Sequence, residues 1–590
     1  MTTGNETRIH GQAEHEPQEI EHDEVHSLSL FQSWWKNSAW PGMGLLGESY
    51  LLFSIGLIKP FWQNLYPACF SYESCSKQLL SSLTFSVVIG VIIGMISVGY
   101  IANSIGRRMG GITTASLMCF GSTGLTLVSF IFSNNPQLLF RCSSALLFIF
   151  GIGVGGEYPI SSSTATERAM EETKKRLNQE VSLKTPISPV APSVNEDMYV
   201  RHFDVVSSHD QNEPNLRRNE SRGREVQLVF LSQGIGILVN SCFLVVLLLI
   251  FRQYGREAGE GNYDRSALLS IWRIVYSVGT ALLVIVLATR LAYLQESQTW
   301  SEDKDRRLKD EAFRNAVVIA KPSSPSHSLV FMDASSTSTT LQFDKNDNTS
   351  FNPVSLLLHN FGWRMFGSSM AWFLWDISFY GNKLFQSSFL IALTGKDTSL
   401  LQLCCIAAVN AFVALLGYIG AALLIDLPQF GRLKLQVYGF LITGVLFIVC
   451  GLLFHRIMPL WLIVMYLASS FVGQLGPNAT TFLIPSEIFP TQMRTFCHGI
   501  AAASGKLGAL FAAIIFNYCS EVDLFLICGY ASCAGFLVTV FTIPDVTNLD
   551  LHEIDKLWLM ILDGRREDYT GDAINPRNLS YYERTTMLKK

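Results

Sequence analysis

Ionisable side chains recur inside otherwise apolar stretches of this sequence, among them Glu48, Glu157, Asp376 and Lys506. A carboxyl in such a place can take up and release a proton, and an ammonium can meet an anion. Each costs at least about 2.5–3.5 kcal/mol to bury at the middle of a membrane, so each is a functional candidate. Trp372, Asp376 and Tyr380 are spaced by four, which puts an indole donor, a carboxyl and a phenol donor on one helix face. Trp372 and Tyr380 could equally be packing or interfacial aromatics, whereas Asp376 has no packing role in an apolar run. Glu157 and Tyr158 follow Gly151, Gly153, Gly155 and Gly156, glycines that also permit close helix contact. Gln233 beside Gly234, and Asn478 after Gly476-Pro477, are amides that can hold a ligand or simply bond one helix to another. Lys506 can attract or neutralise an anion, and Glu48 can belong to a proton path or face water.

Helices must position these groups. The 590 residues are 49% hydrophobic and only 16% charged, short of the roughly 25% charged residues that a water-facing surface carries. Long apolar runs separated by short turns describe an all-α polytopic membrane protein. Continuous rather than alternating runs exclude a membrane β-barrel. Twelve spans are predicted near 44–62, 79–104, 110–133, 137–164, 226–251, 267–292, 364–393, 400–425, 434–454, 459–483, 496–519 and 523–544. They divide into two six-helix halves, 41–292 and 361–545, each expected to hold six of them. The polar remainder comprises a tail over 1–40, an insertion over 171–223, a linker over 293–360 and a tail over 546–590. The insertion and the middle of the linker are too poor in apolar residues to fold alone. Lys and Arg concentrate in the even-numbered loops, which predicts that these loops and both termini are cytoplasmic.

Net charge −4 provides no basic field for nucleic acid. Residues 1–30 carry four histidines but no cationic or apolar leader segment, so the first span is expected to serve as the targeting address. No metal site, cofactor motif or nucleophile–base constellation is visible in the polar segments, so an enzyme is not expected. The 12 cysteines fall mostly inside apolar runs; Cys69 and Cys75, in the loop after the first span, could pair if that loop faces an oxidising side. The linker's Ser335–Thr340 run offers hydroxyls to kinases.

Two six-span halves around a polar linker suggest a carrier that rocks about a central site. The halves echo each other. Gly99-x-x-x-Asn103-x-x-Gly106-Arg107-Arg108 answers Asp426-x-x-x-x-Gly431-Arg432, and Glu157-Tyr158-Pro159 with Glu167-Arg168 answers Glu487-x-x-Pro490-x-x-x-Arg494. This layout resembles the major facilitator superfamily. The strings GIGVGGEYPISS (151–162), WFLWDISFYGNKLFQ (372–386) and GPNATTFLIPSEIFPTQMRTFCHGIAAASGK (476–506) resemble, more narrowly, its phosphate–proton symporter family.

That resemblance implies a phosphate site of Tyr158, Gln233, Trp372, Asp376, Tyr380, Asn478 and Lys506. It implies proton coupling through Asp376, then Glu157, then Glu48. Arg107, Arg108, Asp426, Arg432, Glu487 and Arg494 read as a cytoplasmic brace or gate. A bound anion beside a carboxylate costs several kcal/mol unless the carboxyl is protonated, which makes phosphate and proton co-substrates. The expected function is import of inorganic phosphate with protons across the plasma membrane. The alternatives are a permease for glycerophosphodiesters or other organic anions, and a phosphate sensor that does not transport. Departures bear on gating and coupling ion. Glu157 stands where an aspartate is usual, Leu51 where a second acid is usual, Asn103 where an aspartate is usual and Lys383 where an amide is usual.

Overall fold

A computed structural model of the chain describes residues 40–184, 222–253, 263–298, 353–395, 398–547 and 549–587, with a few positions between 300 and 308. The described residues are helical almost throughout. The first half contains α1 (Trp40–Leu52), α2 (Ser54–Leu65), the short α3 (Pro67–Phe70), α4 (Lys77–Ile105), α5 (Arg107–Ile131), α6 (Pro136–Lys184), α7 (Arg222–Gln253) and α8 (Arg265–Tyr293). The second contains α9 (Pro353–Leu384), α10 (Gln386–Thr394), α11 (Leu400–Leu424), α12 (Gly431–Leu453), α13 (Pro459–Gly473), α14 (Ala479–Leu483), α15 (Thr491–Ile515) and α16 (Glu521–Thr542). Two further helices follow, α17 (Leu551–Leu562) and α18 (Tyr581–Met587).

Ten of these segments are long and apolar enough to cross a membrane. The two remaining expected spans fall short for physical reasons. The first is broken into α1 and α2 at Phe53, and the seventh, α9–α10, carries Arg364, Asp376 and Lys383 and is interrupted at Phe385. The tenth span is also broken. Pro477, which has no N–H to donate, sits in a π-helical turn over Gln474–Asn478 between α13 and α14.

Within the first half α4 and α6 lie backbone to backbone. A β-carbon at Gly151 or Gly155 would run into the carbonyl oxygens of Val87 and Val91. The halves meet along α4 with α15 and along α7 with α11, the crossings expected of two repeats related by an approximate twofold axis. At the first crossing Gly499 packs against the Met95 carbonyl, and the Gly99 position looks onto the Gly499 Cα.

Several boundaries differ from the sequence reading. α6 continues 20 residues past the expected end at 164, to Lys184, because residues 165–184 contain no helix breaker. α9 begins at Pro353, inside the expected linker, a proline opening the helix where its missing N–H costs nothing. The segment after 545 is folded: Leu551, Ile554, Trp558 and Ile561 of α17 join Phe361, Ile488, Phe489 and Cys497 in a core separate from the main one. Asp555 accepts from the Thr491 backbone N–H (2.7 Å) and hydroxyl (2.8 Å), and Arg364 pairs with Glu583 at 2.7 Å. Cys69 and Cys75 form a disulfide. The histidines of residues 1–30, the remainder of the insertion and the Ser335–Thr340 run lie outside the described residues. The two ends of the bundle are called here the Cys69–Cys75 end and the Gly-Arg end, the latter carrying Arg107 and Arg432.

Candidate substrate site

The 372–376–380 spacing does place three side chains on one buried face of α9, at the centre of the bundle. From α15, Lys506 Nζ reaches Asp376 Oδ2 at 2.6 Å, and both residues are 1% exposed. The ammonium also lies 4.0 Å from the Tyr380 ring centroid, 5.1 Å from that of Tyr158 and 5.9 Å from that of Trp372. It therefore sits in a box of three aromatic faces closed by one carboxylate, an arrangement that holds a desolvated cation.

A chain of hydrogen bonds surrounds the box and crosses between the halves. Tyr158 Oη on α6 is 3.3 Å from Tyr380 Oη and accepts from Gln233 Nε2 on α7 at 2.6 Å. Tyr418 of α11 donates to Gln233 Oε1 at 2.8 Å, and Asn478 Nδ2 donates to the Tyr418 hydroxyl at 2.9 Å. Trp375 Nε1 closes the chain on Asn478 Oδ1 at 2.9 Å. The π-helical turn is what aims Asn478 at Tyr418. Six of the seven expected substrate-site residues thus share one network or the ion pair at its edge. Trp372 instead borders the Lys506 ammonium and packs edge-on against His498 at 5.4 Å. Sequence reasoning missed Trp375 and Tyr418. An aromatic in an apolar helix carries no signal of its own, although Trp375 lies one turn from Trp372.

Glu157 is not in this network. Successive helix residues point about 100° apart, so Glu157 turns away as Tyr158 turns in. It is fully buried and forms a bidentate ion pair with Arg290 of α8: Arg290 Nη1 donates to Oε2 at 2.7 Å, and Nη2 donates to Oε1. Thr114 adds a bond at 3.1 Å. Arg290 was not singled out in the sequence because it sits in the last turn of its span, where an arginine reads as a flanking charge. Glu48 is also fully buried, with the Tyr158 side chain among the groups acting on its carboxyl. The charged groups acting on it are Glu157, Lys506 and Arg290, so it is electrostatically linked to both clusters.

The expected brace residues gather at the Gly-Arg end. In the first half, Arg107 pairs with Glu167 at 2.8 Å, while Glu296 accepts from the backbone N–H groups of Arg107 (2.6 Å) and Arg108 (3.2 Å). In the second, Arg432 meets Asp426 at 2.7 Å and Glu487 at 2.9 Å. The halves are then tied together. Arg222 of α7 donates to Glu487 Oε1 at 2.8 Å, and Asp426 accepts from the Gly223 and Arg224 N–H groups at 3.0 and 2.6 Å. Thr166–Ser486 (3.2 Å) and Thr495–Ser163 (3.0 Å) add contacts between the halves. Burial alone would push the Glu487 carboxyl up, but Arg222 and Arg432 outweigh it and hold it at about 2. Arg494 is fully buried, with Glu167 and Asp555 among the charges acting on it.

Comparison with known proteins agrees with this architecture. The profile of the family described as "Sugar (and other) transporter" matches residues 43–183 and 218–558. The chain is 24% identical to "Probable inorganic phosphate transporter 1-9" of Arabidopsis thaliana, over 87% of this chain and 91% of that protein. It is 25% identical to "Inorganic phosphate transporter 1-11" of Oryza sativa subsp. japonica, over 87% and 86%. Among solved structures it is similar to the MFS (major facilitator superfamily) proton:xylose symporter XylE, with a TM-score of 0.59, 16% identity, and 88% of this chain and 98% of that chain covered. The bundle has the major facilitator fold, and the chain belongs to the sugar (and other) transporter family.

Proposed function

We propose that this chain is a secondary transporter that carries inorganic phosphate into the cytosol together with protons by alternating access. The observation that carries this reading is the buried Lys506–Asp376 pair, enclosed by hydroxyl and amide groups from both halves. An oxyanion entering there competes with Asp376 for the one ammonium at the centre of the network. Lys506 can neutralise one negative charge, so Asp376 must take a proton as the anion arrives and release it as the anion leaves. Tyr158, Gln233, Tyr380 and Asn478 supply donors to the phosphate oxygens, and Trp372 borders them. Glu48 is the next carboxyl on a proton route. Glu157, held by Arg290, is a positioning group in this reading. The names of the similar plant proteins support phosphate as the substrate.

The Gly-Arg end is proposed to face the cytoplasm, and the disulfide-bonded loop an oxidising exterior. A glutamate at 157, where an aspartate is usual, would be the residue to favour a phosphodiester substrate, but Glu157 lies outside the central network, paired with Arg290. The test is uptake of radiolabelled phosphate by proteoliposomes under an imposed acid-outside gradient, with sodium varied independently. Accumulation abolished by a protonophore supports the proposal. Absence of flux refutes it, and inhibition of the labelled uptake by glycerophosphoinositol at a much lower concentration than by unlabelled phosphate transfers it to the organic-anion class. Saturable phosphate binding without any flux would leave a sensor.

A further inference from the structure

The hydrogen-bond chain around the central pair has a direction, and one residue sets it. An indole N–H can only donate. Trp375 Nε1 bonds to Asn478 at 2.9 Å, so the oxygen of that carboxamide must face the indole and its nitrogen must face Tyr418. The Tyr418 hydroxyl accepts from Asn478 Nδ2 at 2.9 Å, which leaves its own proton for Gln233 Oε1 at 2.8 Å. Gln233 must then turn its nitrogen to Tyr158 Oη, 2.6 Å away. Each bond fixes the next, from α9 of the second half to α6 of the first.

The two rings that fix the amides are firmly seated. Trp375 stacks on Phe379 at 6.0 Å and lies against α13, where a β-carbon at Gly473 would strike the indole. Tyr418 is tilted against Phe230 at 5.4 Å and lies on Gly234 of the first half, where a β-carbon would likewise strike its ring. Both side chains are buried.

The outcome is a site of one chemical sense. Both carboxamide oxygens are occupied, by Trp375 and Tyr418. Each carboxamide nitrogen has two protons and spends one within the chain, keeping the other. Tyr158, already an acceptor, has its own proton left for the Tyr380 hydroxyl at 3.3 Å or for the Glu48 carboxyl. Uncommitted N–H groups suit an oxyanion, which is rich in acceptors, whereas a reversed carboxamide would turn a repelling oxygen toward it.

We infer that Trp375 and Tyr418 are positioning residues of the substrate site: acting through the amides rather than on the anion, they hold Gln233 and Asn478, one from each half, with N–H rather than C=O available to phosphate. This rests on the reading of the central site as a phosphate site.

Kinetics of the full-length protein in proteoliposomes, with binding in lipid nanodiscs, test it. Trp375→Phe and Tyr418→Phe keep an aromatic ring and remove the polar hydrogen, which frees a carboxamide to reverse. Each should raise the phosphate KM about 10-fold, with kcat changed less than about twofold. The readout that packing alone would not produce is non-additivity. Adding Trp375→Phe to Asn478→Ala, or Tyr418→Phe to the double variant Gln233→Ala/Asn478→Ala, should weaken radiolabelled orthophosphate binding no further, because no amide remains to be oriented. Unchanged KM in both phenylalanine variants, or a further loss of binding in the alanine backgrounds, overturns the positioning role while leaving the central site standing. Wild-type protein that neither binds nor transports orthophosphate overturns the central reading, and this inference with it.

Discussion

A carboxylate and an ammonium 2.6 Å apart at the middle of a membrane protein are neutral together and costly apart. Breaking a buried pair of this kind by removing one member typically destabilises by about 3–5 kcal/mol, because the other charge is left uncompensated. Asp376→Asn leaves Lys506 free to take an anion at any proton concentration. It is expected to keep phosphate exchange between equal pools while losing accumulation driven by a pH gradient. Counterflow and gradient-driven uptake in the same vesicles separate the two. That Asp376 and Lys506 are buried charges inside the bundle was legible in the sequence because a charge in an apolar run is conspicuous. The roles of Tyr418 and Trp375 were not, because a phenol or indole there is equally good packing material. Glu157 stood out in the sequence as a proton-coupling candidate, but its pairing with Arg290 was not legible, since that partner lies 133 residues away in sequence.

Helices place these side chains through their irregularities as much as through their regular turns. The π-helical turn over Gln474–Asn478 sets the rotation of Asn478 toward Tyr418. Pro477→Ala restores a donor and lets the turn relax to α-helix, which would swing Asn478 off that hydroxyl. Uptake is expected to fall at least about 10-fold with little loss of folded protein, as measured by vesicle flux beside thermal unfolding. On the other side of the bundle, Glu157 and Arg290 join α6 to α8. Arg290→Gln is expected to destabilise by about 3–5 kcal/mol, and the double variant Arg290→Gln/Glu157→Gln should recover much of that loss in a thermal-unfolding assay. Most helix positions were visible as apolar runs. The breaks at Phe53, Phe385 and Pro477 were not, because they depend on which neighbouring helix supplies the missing contact. The folded segment after 545 escaped notice because its apolar residues are spaced along short helices rather than gathered in a run.

At the scale of the whole molecule, the Gly-Arg end is fastened across the halves. The fastening joins Arg222, Asp426, Arg432 and Glu487 across the halves, and Arg222 also donates to the Leu549 carbonyl at 3.0 Å, so the segment after α16 belongs to it. Glu487 sits at about 2 rather than its ordinary 4.5. A depressed carboxyl contributes its full stabilisation above the ordinary value and loses it only as pH falls toward 2. Glu583 behaves in the same sense: burial would push it up, but Arg364 and Ser580 hold it below its ordinary value. Neither group changes charge between pH 5 and 8, so thermal stability contributed by this end should be flat across that range, as a pH series of unfolding scans would read. In the proposed mechanism, release of the fastening follows events at Lys506 and Asp376 rather than titration of Glu487. Glu487→Gln should open the Gly-Arg end in the resting protein; a cysteine introduced at Thr166 should then react with a water-soluble maleimide at least about 10-fold faster than in the parent.

The α4–α15 crossing, where Gly499 rests on the Met95 carbonyl and faces Gly99, has a mechanical implication. Main chain touches main chain at that point, with Tyr100 and Phe496 meeting edge-on beside it, so under the proposed rocking one bundle would roll over the other at a spot without ridges, much as a smooth journal turns in its sleeve. A methyl group at 499 would be grit in that bearing, slowing turnover from either direction while the cargo is held as firmly as before.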